Sequence, residues 1–194
     1  MKKNIIWILC VVVLIVFLAL NATVIDKGTE GQYTGVVAFD ASSSSSDDWS
    51  GILAEITANA EDIKDVDLRN LGAGKAVKLT GTVSEFVSKA NGKKNSITVV
   101  PNNSTSGEVI SIQLGSVYTG TSVRDIQTVK AFGDFTNQTE WSQYAKAINS
   151  QIHELVVEPL NIDESIQGKT VTVIGAATSS GDEVTVTPVS ITIE

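Results

Sequence analysis

The side chains best equipped for chemistry lie between Gly115 and Trp141, in GSVYTGTSVRDIQTVKAFGDFTNQTEW. Here Arg124, Asp125, Asp134, Asn137 and Gln138 are interleaved with Phe132, Phe135 and Trp141, and Gly115, Gly120 and Gly133 punctuate the run. Loops this long inside a compact domain are uncommon and tend to be functional or disordered, and aromatic content argues against disorder. Planar amide and guanidinium groups beside rings suit recognition of a sugar or a peptide, with polar groups meeting hydroxyls while a ring covers an apolar face. The same residues have a plainer use. Asn137 can cap a helix, Phe135 and Trp141 can plug a barrel end, and Arg124 can pin the loop by pairing with Asp125 or Asp134. Asp125, Asp134 and Asn137 are also hard oxygen donors of the kind calcium takes. Their spacing is not that of an Asp-x-Asp-x-Asp-Gly loop, and Arg124 beside Asp125 favours an ion pair, so no metal and no cofactor is expected.

Catalysis has less support. The one histidine, His153, falls beside the apolar face of a helical stretch, without a nucleophile or an orienting partner in a recognisable arrangement. No G-x-S-x-G, H-E-x-x-H or P-loop pattern occurs. The expectation is a protein that binds rather than reacts, and hydrolysis of cell-envelope material is the weakest of the functions considered.

Charge narrows the partners. Lys2 and Lys3 precede an unbroken apolar run from Ile5 to Leu20, which Ala22, Val24 and Ile25 extend towards a membrane-spanning length. Small residues are poorly placed for signal-peptide cleavage, and the lone cysteine, Cys10, sits inside the run instead of after it. Residues 1–25 therefore read as an uncleaved anchor with the lysines in the cytoplasm, which puts the remainder at the extracytoplasmic face of the cell membrane. Without Lys2 and Lys3, 12 of the 14 basic side chains remain against 22 acidic ones, a net charge of −10. Nucleic acid, which needs clustered Lys and Arg on its phosphates, is not an expected partner. Lys89, Lys93 and Lys94 read as a solvated hairpin tip. With one cysteine there is no internal disulfide, so the exported part depends on its core.

The elements that position the loop emerge from periodicity. Residues 26–46 read as a stalk, a short strand at Tyr33–Phe39 and a Ser42–Ser46 linker. Trp49, Ile52, Leu53, Ile56, Ala60 and Ile63 recur at helical spacing, giving a helix over Asp47–Lys64 in a 47–74 segment that packs on the strands of residues 75–194. Those strands alternate apolar and polar positions. A long strand from Val77 to Val87 carries Gly81 as a bulge or bend; Asn91-Gly92 turns the chain into Ser96–Val100, and Glu108–Leu114 is the third strand. Beyond the loop, Thr139–Val157 reads as a helix with Asn137 and Glu140 as its capping box and Trp141, Tyr144, Ala145, Ile148, Ile152 and Leu155 on one face. Lys169–Ala177 and Glu183–Ile193 complete the set, with Pro188 suiting an edge strand. Three strands, a helix and two strands form the order of a five-stranded Greek-key barrel, the OB-fold, in an α+β chain (β-β-β-α-β-β) preceded by a helix and the anchor.

G-x-x-x-x-G-T-S-x-R-D at Gly115–Asp125, F-G-D-F-T-N-Q-T-E-W at Phe132–Trp141, G-K-T-V-T-V-I-G-A from Gly168 and a late T-P-V-S resemble the bacterial family of predicted periplasmic lipoproteins called domain of unknown function 2291. The resemblance runs from about Tyr33 to the C-terminus. It implies no reaction; it implies a non-enzymatic extracytoplasmic accessory role beside sugar-type ABC transport systems, with a transporter component or a sugar-binding protein as partner. Carried onto this chain, the motif positions are Gly120, Thr121, Arg124, Asp125, Asp134, Phe135, Asn137, Gln138 and Trp141. They are the ligand- or partner-binding candidates, and a small polar ligand such as a sugar sensed at the Arg124–Trp141 loop is the alternative function. The chain departs from the family label in lacking a lipobox.

Overall fold

Lys75–Val87 alternates buried and exposed residues, with Val77, Leu79, Gly81 and Val83 inward, which makes it one long strand with a core face. In the computed structural model, which describes residues 38–88, 95–102 and 108–194, this strand organises the fold. In chain order the elements are helix α1 (Ala41–Asn59), strands β1 (Glu61–Asp62), β2 (Lys75–Val87), β3 (Ser96–Pro101) and β4 (Ile110–Gln113), helices α2 (Ser122–Ile126) and α3 (Gln138–Ile152), and strands β5 (Thr170–Ser180) and β6 (Glu183–Ile193). Sheet order is β1-β2-β3-β4-β6-β5, and β5 pairs back onto β2, so β2 to β6 close into a five-stranded barrel. Closure between β4 and β6 is parallel, Ile110 opposite Val184 through Ile112 opposite Val186. This is the OB-fold expected from the strand order, with β1 as an added two-residue parallel pairing on β2.

Two glycines explain how the strands bend. Residues Lys75–Thr82 of β2 pair with β5 and Gly81–Val87 pair with β3, so the strand changes partners at Gly81. A Cβ there would run into the Val100 carbonyl oxygen and lie 2.9 Å from the Pro101 Cα. Gly81 thus serves a close backbone approach, and the expected bulge sits later, as a register shift between Val83 and Glu85. Gly175 faces Pro188 in the same way, where β5 and β6 slip register after Ile174. Pro188 does not lie on an edge strand as its type suggests. Strand β6 pairs on both sides, and the proline falls beyond Val186, where β4 no longer reaches.

Val77, Leu79, Ile97, Val99, Ile110, Ile112, Val171, Val173 and Val186 fill the barrel without solvent exposure. Each such side chain contributes about 1.5–3 kcal/mol by leaving water. Val157 and Ile166, from the chain after α3, join this core. Helix α3 continues as a π-turn over His153–Val157, and the wider turn rotates the apolar face. Leu155, expected on the buried face, is 54% exposed, and Val157 takes the inward position.

The Ser42–Ser46 run is helical, not a linker. Asp40 caps α1 by accepting from the Ser42 and Ser43 amides at 3.0 and 3.1 Å, and Ser45 is fully buried with its hydroxyl bonded to the Ser42 carbonyl. The helix therefore starts six residues earlier than Asp47 and ends at Asn59 instead of Lys64. It packs chiefly on α3, with narrower contacts to β5 and β2. Tyr144 donates to Asp48 Oδ2 at 2.8 Å and Gln151 to Ser46 Oγ at 3.0 Å across that pair. Asp40–Glu194 forms one compact unit; the anchor expected at 1–25, most of the Tyr33–Phe39 strand and the Asn91-Gly92 tip lie outside the described residues. Among the described residues no helix is long and apolar enough to cross a membrane.

Candidate binding site

The segment between β4 and α3 is held by its own side chains. Thr121 precedes α2, and its hydroxyl donates to Asp125 Oδ2 at 2.5 Å, closing the short helix on itself. Arg124 donates through Nε to Asp125 Oδ1 at 2.8 Å, through Nη2 to the same carboxylate and to Thr121 Oγ1 at 3.2 Å, and through Nη1 to the Trp141 carbonyl at 3.3 Å. The guanidinium also lies over the Trp141 ring, 4.3 Å from its centroid. Most of its five donors are therefore engaged, and its side chain is 13% exposed. Arg124 locks α2 to the first turn of α3, and of its two expected acidic partners it takes Asp125.

Asp134 works locally instead, accepting from the Ala131 amide at 2.8 Å. Asn137 caps α3, accepting from the Glu140 amide at 3.0 Å. Glu140 returns to the Thr136 amide at 2.9 Å, one residue before the position a capping box uses. The three oxygen donors weighed for calcium thus have separate tasks. Gln138 is exposed on the first turn of α3.

Phe135 and Trp141 do not plug the barrel. They are half-buried and pack with ring centroids 5.0 Å apart, and Phe135 lies 5.0 Å from Tyr144, outside the barrel core. Phe132 meets Trp141 edge-on at 6.3 Å and 76° and remains 48% exposed. The result is a small aromatic platform, open at Phe132, in which Trp141 packs with Phe135 and Tyr144 and lies under the Arg124 guanidinium. Burial pushes the Tyr144 hydroxyl well above the usual tyrosine range, and its bond to Asp48 adds to that. His153 is half-buried, and its Nδ1 is enclosed with no hydrogen-bond partner among the described residues.

Beside α2 a pocket of about 500 Å³ opens against the β5–β6 hairpin. Gly120, Thr121 and Asp125 line it, together with Ala73, Ser122, Glu183 and hydroxyl residues of the hairpin. Gly120 holds φ +83°, which glycine adopts without strain, and its carbonyl accepts from Asn149 of α3 at 3.3 Å. The hairpin wall escaped sequence reasoning because the strand expected at Lys169–Ala177 stops short of Thr178–Ser180, which the structure adds to β5, and nothing local marks Thr185 within Glu183–Ile193. Of the nine sequence candidates, the fold places Gly120, Thr121 and Asp125 at this pocket. Arg124, Phe135 and Trp141 contribute to the platform, Asp134 and Asn137 lie at the turns that lead into α3, and Gln138 is on its first turn.

The OB assignment has a counterpart among solved structures, an OB-fold protein from Thermotoga maritima MSB8. It has a TM-score of 0.59 and 14% identity, over 81% of this chain and all of that one, which speaks to fold alone. An OBody, AM1L10, bound to hen egg-white lysozyme matches at a TM-score of 0.35 and 16% identity, over 70% of this chain and 93% of that one, too distant to bear on it. No curated protein matches. The family model for predicted periplasmic lipoproteins matches residues 72–192, from just before β2 to the end of β6 and through the whole α2–α3 segment. That stretch is more than half of the chain, and the protein belongs to the DUF2291 family of predicted periplasmic lipoproteins.

Proposed function

We propose that this is an extracytoplasmic, membrane-attached module that acts by binding a protein partner through its aromatic platform, without catalysing a reaction. The observation that carries this is Phe132, half exposed above a Trp141 ring whose other neighbours hold it still. A rigid aromatic group beside an arginine is the usual composition of an interface anchor, because it buries a large area with little loss of side-chain freedom. The partner is a component of a sugar-type ABC transport system, either the transporter or its sugar-binding protein, as the resemblance implies. Residues 1–25 hold the module at the membrane. The test is co-purification of the full-length protein with transport components from detergent-solubilised membranes, comparing wild type with Phe132→Ala. Loss of the partner with unchanged thermal stability supports the proposal; equal recovery by both proteins contradicts it. A sugar ligand at the Arg124–Trp141 loop is favoured less, since Arg124 uses its donors within the protein.

A further inference from the structure

The pocket beside α2 has a lining of narrow chemical character. Seven of its eleven residues carry hydroxyls: Thr119, Thr121 and Ser122 from the β4–α2 side, and Thr178, Ser179, Ser180 and Thr185 from the β5–β6 hairpin. Asp125 and Glu183 add carboxylates, and among the described residues no lysine, arginine, histidine or aromatic side chain lines it. Anionic ligands such as phosphates or carboxylic acids would meet the Glu183 carboxylate, and the nearby Arg124 guanidinium is already spent on Asp125. Flat apolar ligands would find no ring or large aliphatic side chain among the described residues of the lining. The Thr121, Ser122 and Thr178 hydroxyls already donate to Asp125, Thr187 and the Thr185 carbonyl. The hydroxyls of Ser179, Ser180 and Thr185 can both donate and accept and Glu183 accepts, so the complementary ligand is rich in hydroxyl groups.

The wall is built from inside. Gln113, 6% exposed, grips the Thr119 backbone at both ends: its Oε1 accepts from the amide at 2.7 Å and its Nε2 donates to the carbonyl at 3.3 Å. The same Nε2 donates to Thr187 Oγ1 at 2.8 Å, and Thr187 also accepts from the Ser122 hydroxyl at 3.3 Å. Thr187 is 2% exposed. A buried amide and a buried hydroxyl thus fix two lining residues from behind, at positions where an apolar core would be simpler to pack. Such support lowers the cost of ordering a binding site when the ligand arrives. The volume is within the range of small-molecule sites.

We propose that this pocket binds a neutral polyhydroxylated ligand of monosaccharide size, either free in solution or as the end group of a glycan. The site is separate from the Phe132–Trp141 platform in its lining. It touches the platform's support through Asp125 and Thr121, which also hold Arg124 over Trp141. A ligand drawing on those two residues changes the surroundings of the indole, so binding is also visible as a change in tryptophan emission, to which Trp7 and Trp49 add a background.

The test is thermal unfolding and tryptophan fluorescence of the full-length protein in detergent. The additives are neutral pentoses and hexoses, oligosaccharides that end in them, a sugar phosphate and spermidine. The expected result is a saturable rise in Tm and a change in emission with at least one neutral sugar, and none with the phosphate or the amine. Stabilisation by the oligosaccharide and not by its free sugar assigns the ligand to a glycan end. Ser179→Phe, which fills the pocket from the hairpin, is expected to weaken binding at least tenfold while leaving the ligand-free Tm and recovery of the platform's partner unchanged. A response to spermidine without one to sugars overturns the proposal, as does the absence of any saturable response. Sugar binding unaltered by Ser179→Phe overturns it too.

Discussion

At the scale of single residues, two buried tyrosines make opposite predictions. Tyr144 donates to Asp48 at 2.8 Å, whereas the hydroxyl of Tyr118 is enclosed with no hydrogen-bond partner among the described residues. Removing a made bond to a charged group costs about 1.5–3 kcal/mol, whereas deleting an unsatisfied buried hydroxyl recovers a desolvation cost of about 1–3 kcal/mol. Tyr144→Phe is therefore expected to lower the unfolding midpoint and Tyr118→Phe to hold or raise it, as measured by urea titration. Burial raises the pKa of both hydroxyls above the ordinary 10.0, with the Asp48 bond a further cause for Tyr144. Their folded-state pKa values exceed the unfolded ones, so the unfolded chain loses these protons first. Stability from this source is fully present below pH 10 and declines as pH rises beyond it. The double phenylalanine variant is expected to show a shallower alkaline decline. Arg124 is a third case. Its engaged donors predict that Arg124→Ala costs about 1–3 kcal/mol, through lost charged hydrogen bonds and the lost stacking on Trp141.

At the scale of elements, the barrel strands were legible because each alternates over much of its length, and Glu183–Ile193 has the bounds its sequence pattern and flanking turn imply although the alternation breaks at Val186–Val189. What was not legible depended on contacts distant in sequence. A serine run looks like a linker until Asp40 caps it and Ser45 is buried, and nothing local signals either. The π-turn at His153–Val157 is equally silent, because a shift of the apolar face over so few residues resembles ordinary helix scatter. In the candidate site, the cap at Asn137 and the Arg124–Asp125 pair could be read from neighbouring residues, whereas the pocket needed the β5–β6 hairpin to fold back beside α2. Glycines separate the two kinds of backbone constraint. Gly81→Ala and Gly175→Ala would each push a Cβ into a neighbouring strand's backbone and are expected to prevent stable barrel closure. Gly120→Ala meets nothing within 4 Å and bears only the strain of its positive φ, about 1–2 kcal/mol. Circular dichroism melts of the three variants order them accordingly.

At the scale of the whole molecule, an acidic chain with a formal charge of −8 builds its open aromatic platform and its hydroxyl-lined pocket with different residues around one short helix. The membrane attachment proposed for residues 1–25 relies on apolar length and not on Cys10. Cys10→Ser is accordingly expected to leave the protein in the membrane fraction, and release into the soluble fraction would instead assign attachment to a lipid on that cysteine. The most direct measurement of the binding role is site-specific photo-crosslinking from position 132 in the full-length protein in living cells. A sugar-type transporter subunit or its binding protein, captured from position 132 and not from exposed Leu155, is the expected result. Equal capture from both positions, or none of those proteins from position 132, would contradict the platform as the partner-binding site.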